Sequence, residues 1–278
     1  MNRRTFLGHA GMLALLAHTA PSFGAGTSAL SPTSALDAGV TDYLSRHVRW
    51  TPDGTSSVVD YAAVRRDRDQ LQRLLNAFSR IHISEFSHWP LAARQAFLVN
   101  AYNVWTLALI ADAPEDTHSI KELGNFLQSP WKKVFIPFLG ETRSLDDIEH
   151  GLLRGASDFN EPRIHFAVNC ASIGCPALRP EAYTADRWSE QLDDQTRRFL
   201  RDRSRNRVFR ANPLHLEVSA IFVWYEEDFE RSGGLQAFLS RYADALGLDA
   251  QGVAALREGR AEIDYLDYDW RLNASPST

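Results

Sequence analysis

The chain has 278 residues, of which 44% are hydrophobic, 23% charged and 11% aromatic, with two cysteines and a formal net charge of −5. Apolar content at that level offsets the entropy of ordering and excludes a disordered chain, and two cysteines exclude a disulfide-rich scaffold. The acidic balance argues against nucleic-acid binding through a basic face, and no run of about 20 apolar residues predicts a membrane span.

Residues 1–25 have the layout of a secretory signal peptide: a basic start at Arg3 and Arg4, a moderately apolar run over 7–20, then small residues. The paired arginines followed by Thr5, Phe6 and Leu7 resemble a twin-arginine export signal, with an ordinary Sec signal as the competing reading. His9 and His18 keep the run polar, and Ser22 and Gly24 are small enough to place cleavage after Gly24 or Ala25. No cysteine lies near that point, so a lipid anchor is not expected. Loss of the two arginines takes the net charge from −5 to −7. The expected product is a soluble acidic protein, periplasmic or secreted, of a bacterium.

Residues 26–34 read as a small-polar linker, 35–273 as one globular domain, and 274–278 as a tail. Helical spacing predicts helices over 35–47 and over 60–80, the second capped by Asp60. Pro90 suits the first turn of a third helix over 91–111, apolar almost all round and therefore expected in the core. A β-hairpin is expected from 131–137 and 141–144 around Leu139 and Gly140. Ser144 and Asp147 have the spacing of a capping box opening a helix to Arg154. A short β-rich run over 163–169 is followed by a loop over 170–175. A charged amphipathic helix is predicted over 181–203, strands over 208–210 and 215–218, helices over 221–230 and 235–246, and a last strand over 261–266. Helices with a small, mainly antiparallel sheet make an α+β domain.

Two amides interrupt the apolar third helix. Asn100 and Asn103, flanking Tyr102, are three apart and share a face, and buried amides need partners. They either tie loop backbone to the helix or orient groups at a site. In the 163–176 segment, strand alternation puts His165 on the face opposite Ile164, Phe166 and Val168. His165 and Cys170 would stand roughly 17 Å apart in extended chain, too far for a thiolate–imidazole pair. His150, arriving from the preceding helix beside Glu149, is the other candidate base. Cys170 and Cys175 admit three readings: a disulfide, the default outside the cytoplasm; a thiol nucleophile at Cys170; or a metal site with His165. The metal reading matches no standard zinc spacing, and the pair is not Cys-x-x-Cys, which argues against thioredoxin-type redox work. Asn169 and Ser172 flank Cys170 as orienting residues. The aromatic and acidic runs at 221–229 and 268–273 read as packing with capping acids. Nothing resembles a phosphate loop, a serine nucleophile elbow or a zinc helix, so no cofactor or metal is expected.

Taken in order, Asn100-Ala-Tyr102-Asn103, Leu145-Asp-Asp-Ile-Glu149-His150, Pro162-Arg163-Ile-His165, Cys170-Ala-Ser172 with Cys175-Pro176, Ile221-Phe-Val-Trp224-Tyr225 with Asp228-Phe229, and Tyr268-Asp269-Trp270 with Leu272-Asn273 resemble the domain of unknown function 547 over about 60–273. The resemblance implies that Asn100, Asn103, His150, His165, Cys170 and Cys175 belong to one signature; it implies no settled activity. A buried helix followed by a His-bearing strand is also loosely similar to papain- and transglutaminase-like thiol folds, although the helix here offers Asn100 where those folds place a cysteine.

The expectation is an exported α+β domain whose polar cluster (Asn100, Asn103, His150, His165, Cys170) forms a pocket for a small-molecule or peptide ligand. As an enzyme it would be a thiol-dependent hydrolase or transferase at an amide or ester, with Cys170 as nucleophile and His150 or His165 as base. The alternative is a non-catalytic binding or structural module with a Cys170–Cys175 disulfide.

Overall fold

The computed structural model describes residues 31–125, 128–155 and 160–276, so the expected signal peptide lies outside the described residues. Helix α1 (Ser34–His47) buries Val40, Tyr43, Leu44 and His47. An antiparallel hairpin follows, β1 (Val48–Trp50) with β2 (Ser57–Val59), which the sequence reading did not mark. Asp60 caps the next helix as expected, its carboxylate accepting the Ala63 N–H at 2.8 Å. The single helix expected over 60–80 is in fact two, α2 (Tyr61–Arg66) and α3 (Arg68–Ser79). They part at Asp67, whose carboxylate meets Arg46 and His47 of α1 at 2.7 and 3.0 Å.

After the single turn α4 (Ile83–Phe86), α5 (Leu91–Ala111) starts directly behind Pro90 and is buried at every residue over 95–111. A helix without a polar face can only sit inside the molecule, and α1, α2 and α3 pack around it. The hairpin is shorter than its sequence suggested, β3 (Ile136–Phe138) with β4 (Glu141–Arg143), because Trp131 belongs to a 3-10 turn over Pro130–Lys132.

The capping box forms as read. The Asp147 N–H donates to Ser144 Oγ at 3.0 Å, and the Ser144 N–H donates to the Asp147 carboxylate at 2.8 Å. The helix it opens is wound as a π-helix over Asp147–Leu153, closed by the Arg154 N–H on the Glu149 carbonyl.

The strand expected over 163–169 is not there. Pro162–Phe166 is a 3-10 helix, with Pro162 at its first position and the Glu161 side chain accepting the Arg163 N–H. Proline presets φ for a helical turn, and the capping carboxylate satisfies a first-turn donor, which outweighs the weak β preference of this run. The charged helix α6 (Trp188–Arg201) starts later than expected, since Glu181 instead pairs with Arg179 and Arg187.

A three-stranded sheet follows, with β5 (Arg207–Arg210) antiparallel to β6 (His215–Ser219) and β6 parallel to β7 (Glu262–Leu266). Helices α7 (Ile221–Trp224), α8 (Glu226–Arg231), α9 (Leu235–Arg241), α10 (Ala243–Leu246) and the unanticipated α11 (Ala250–Arg257) lie between β6 and β7 in sequence. The class is therefore α+β, as expected.

Two apolar clusters hold the chain together. One surrounds α5; the other gathers Phe166, Phe199, Phe222, Phe229 and Phe238 beside the three-stranded sheet. The 3-10 segment serves both, with Ile164, Ala167 and Val168 in the first and Phe166 in the second. His165 is thereby carried to the seam. The chain returns after β7 to the 170–175 loop. There the N–H groups of Ile173 and Gly174 donate to the carbonyls of Arg271 and Asp269, and the Asn273 N–H donates to the Ala171 carbonyl. Gly174 is required at this approach, because a Cβ there would stand 2.9 Å from the Tyr268 ring.

Candidate functional site

The asparagines are anchors. Asn103 Nδ2 donates to the Ala167 carbonyl at 3.0 Å and its Oδ1 accepts the Asn169 N–H at 2.8 Å, so one amide spans the end of the 3-10 segment. Asn169 continues the chain of contacts, donating to the Pro176 carbonyl at 2.7 Å and accepting from the Ala171 N–H at 2.9 Å. Asn100 faces elsewhere, exchanging hydrogen bonds with both backbone groups of Tyr183 at 2.8 and 2.9 Å and donating to Asp37 at 3.3 Å. Burial pushes the Asp37 carboxyl up to about 6, against the pull of hydrogen bonds from Thr33 and Asn100.

Pinned in this way, the loop turns sharply at Ala171, whose φ of 62° is left-handed, and brings Cys175 back to Cys170. The two are joined by a disulfide, with Cα atoms 6.2 Å apart. The sulfurs are well provided with donors. Ser172 Oγ is 3.0 Å and Tyr268 OH 3.1 Å from Cys170 Sγ, while Cys175 Sγ accepts the Cys170 N–H at 2.9 Å and the Tyr268 O–H at 3.0 Å.

The disulfide forms part of the wall of a cavity of about 190 Å³. Tyr102 from α5, Asp146, Glu149 and His150 from the π-helical segment, and His165 with both cysteines line it. Rings complete it: Trp131, Trp224, Tyr225, Tyr268 and Trp270. Tyr268 packs against Trp270 and Trp224 with centroids 4.4 and 4.8 Å apart, and Trp224 is 47% exposed at the rim. Of the residues singled out from sequence, Tyr102, Glu149, His150, His165, Cys170 and Cys175 are brought together here. Asn100, Asn103 and Asn169 are not, and Ser172 meets the lining residues Cys170 and Tyr268 without lining the cavity itself.

His165 is fully buried and its ring stacks on Tyr225 at 3.8 Å. Its Nε2 lies 2.7 Å from an Asp228 oxygen, which Arg154 also reaches at 2.6 Å, while Arg231 holds the other oxygen. Burial alone would raise the Asp228 carboxyl, but the hydrogen bonds from His165 and Arg154, with the Arg154 charge, outweigh it and hold it well below the usual carboxylate range. Burial also keeps His165 below its ordinary value in spite of Asp228 and Glu149, so the ring is neutral. With its single proton on Nε2, donated to the carboxylate, Nδ1 keeps a lone pair. That atom is buried and has no hydrogen-bond partner. His150 is placed differently: its Nδ1 accepts from Arg154 at 2.6 Å and its side chain is 40% exposed. Glu149 accepts the Tyr225 O–H at 2.5 Å. Burial pushes the phenols of Tyr102, Tyr225 and Tyr268 far up, so all three remain O–H donors.

Sequence reasoning missed Asp228, Tyr225, Tyr268 and the rim tryptophans, which it assigned to packing. The usable signal was the mixture of aromatic and acidic residues at 221–229 and 268–273. Neither histidine hydrogen-bonds a cysteine sulfur. Among the described residues no group of three or more His, Cys, Asp or Glu side chains is arranged to hold a metal ion, and no helix is long and apolar enough to cross a membrane.

No curated protein and no solved structure matches the chain. One family does match, over a narrower stretch than the sequence resemblance covered. It takes in α5, the π-helix and the disulfide loop but stops short of Asp228 and Tyr268. Over residues 86–200 the chain is similar to the family described as "Protein of unknown function, DUF547".

Proposed function

We propose that the chain is an exported bacterial binding protein whose aromatic cavity takes a small organic ligand, with the Cys170–Cys175 disulfide closing one wall. The observation that carries this reading is the oxidised pair on the wall of a cavity otherwise lined mostly by rings, with Val168, Ile221 and two carboxylates. A cavity of about 190 Å³ suits a ligand smaller than the drug-sized compounds held in pockets of ~300–1,000 Å³. The basic, moderately apolar N-terminus supports export, and a disulfide fits an oxidising compartment. Within export, the twin-arginine route is the finer reading.

Three measurements test it. Cell fractionation should find the protein outside the cytoplasm, and replacing Arg3 and Arg4 by lysine should abolish export through the twin-arginine route but leave Sec export unchanged. Alkylation of natively purified protein should modify neither cysteine until a reductant is added.

The thiol-dependent hydrolase or transferase is the second reading, favoured by an Asp228-paired His165 that lines the same cavity as Cys170. It needs Cys170 as a free thiolate. One cysteine alkylated quickly at neutral pH without reductant would support it and overturn the first.

A further inference from the structure

We propose that the Cys170–Cys175 disulfide is the reacting group of the cavity and exchanges with a small thiol that carries an ammonium group. The inference rests on the ligand-binding reading of the cavity and names the chemistry of its ligand. The Cys-x₄-Cys spacing by itself argues against redox work, because in Cys-x-x-Cys proteins local geometry supplies the thiolate's stabilising donors. Here tertiary structure supplies them.

The two sulfurs are not equivalent. Cys170 is half-buried and faces the cavity, whereas Cys175 is only 4% exposed. Attack is therefore directed to Cys170 Sγ, with Cys175 as leaving group. Cys175 Sγ already accepts the Cys170 N–H, and the Tyr268 O–H, within 3.0 Å of Cys175 Sγ and 3.1 Å of Cys170 Sγ, can turn fully to the leaving sulfur; both donors strengthen as charge develops there. Stabilising the leaving thiolate in this way speeds exchange.

The incoming thiol also finds an acceptor for its proton. His165 Nδ1 is the one buried side-chain polar atom among the cavity-lining residues that lacks a hydrogen-bond partner, and Asp228 fixes its tautomer from behind. Leaving such an atom unpaired costs about 1–3 kcal/mol, which a donating ligand recovers.

The wall charges choose the ligand's sign. Asp146 and Glu149 line the cavity, and no lysine or arginine does. The rings take cations as well: the Lys121 ammonium already sits 4.0 Å from the Trp270 centroid.

The step balances as follows. The thiol gives its proton to His165 Nδ1, and its sulfur electron pair forms a bond to Cys170 Sγ. The Cys170–Cys175 bond breaks with its pair leaving on Cys175, which takes the proton back from His165. A second thiol then attacks the mixed disulfide, releasing the thiol's own disulfide and leaving two protein thiols. Two electrons pass from the two thiols to the protein.

The test uses oxidised full-length protein, with 2-aminoethanethiol and 3-mercaptopropionate compared at equal concentration of protonated thiol. Adducts are located by peptide mass mapping. The expected result is an adduct on Cys170, formed at least tenfold faster with the aminothiol. Its rate should change less than about threefold between pH 6 and 8, whereas attack limited by the free thiolate fraction would rise roughly fiftyfold or more. His165→Gln should restore that steep rise while the adduct stays on Cys170. A disulfide inert when folded but reactive in urea, an adduct on Cys175, equal rates for the two thiols, or a wild-type rate that follows the thiolate fraction would each overturn the proposal. The thioether 2-(methylthio)ethylamine separates the two readings, because it can occupy the cavity but cannot exchange. If it shifts the fluorescence of Trp224 and Trp270 while exchange fails, exchange is overturned and ligand binding stands. If it shifts nothing and exchange fails, both fall.

Discussion

His165 shows how one residue's surroundings set its chemistry. In the folded chain burial lowers its pKa below the ordinary imidazole value, so between that depressed value and about 6.5 the unfolded chain binds a proton that the folded chain refuses. Stability from His165 is therefore complete above about pH 6.5 and is lost as pH falls below it. Asp228, also depressed, acts in the same direction but only below its unfolded value of 3.8. Asp37 opposes both: its carboxyl is raised to about 6, so its contribution falls as pH rises from 3.8 to about 6. Wild type should lose more stability than His165→Gln as pH falls from 7.5 to 5.5, read from urea unfolding at each pH. Asn103 gives a second residue-scale expectation. Asn103→Ala orphans the Asn169 N–H and the Ala167 carbonyl, at about 1–3 kcal/mol each, and the loss should appear as a lower urea midpoint. The sequence marked Asn103 as a buried amide needing partners, since it interrupts an apolar helix. Which groups it pairs with depends on a segment 64 and 66 residues further on.

At the scale of elements, legibility followed local signal. Helix α5 was readable to the residue, because Pro90 starts it and its apolar character on every side leaves only the core. The capping box at Ser144 and Asp147 was equally local. Ser144→Ala should cost about 1 kcal/mol of stability, measured by denaturant unfolding, and should loosen the segment that presents Glu149 and His150. The 3-10 segment Pro162–Phe166 was misread as a strand, although Glu161 and Pro162 carried the information. They specify a capped helical turn, and in six residues that outweighs alternation between apolar and polar positions. The error also distorted the site. An extended 163–169 holds His165 far from Cys170, whereas with the segment wound both line one cavity.

At the scale of the whole molecule, the cavity is assembled from six regions of the chain: α5, the turn at Trp131, the π-helix, the run from His165 through the disulfide loop to Pro176, α7 with Tyr225 behind it, and the returning C-terminal run. The disulfide fixes the loop that joins them. Its short loop implies about 2 kcal/mol from restricting the unfolded chain, so full reduction should lower Tm by roughly 4–8 °C by calorimetry, with Tyr268 and the loop responding together. The sequence by itself determined the α+β class, the buried α5, the presence of two buried amides that need partners and the pairing candidates Cys170 and Cys175, because each follows from composition, periodicity or short spacing. Only the tertiary structure decided that Asp228 stands behind His165 across 63 residues, that Glu149 receives Tyr225 across 76, and that Tyr268 lies over the disulfide from 93 residues away. Those contacts form where two apolar clusters meet. Hydrophobic burial is non-directional, and no local pattern records which distant polar groups it will press together.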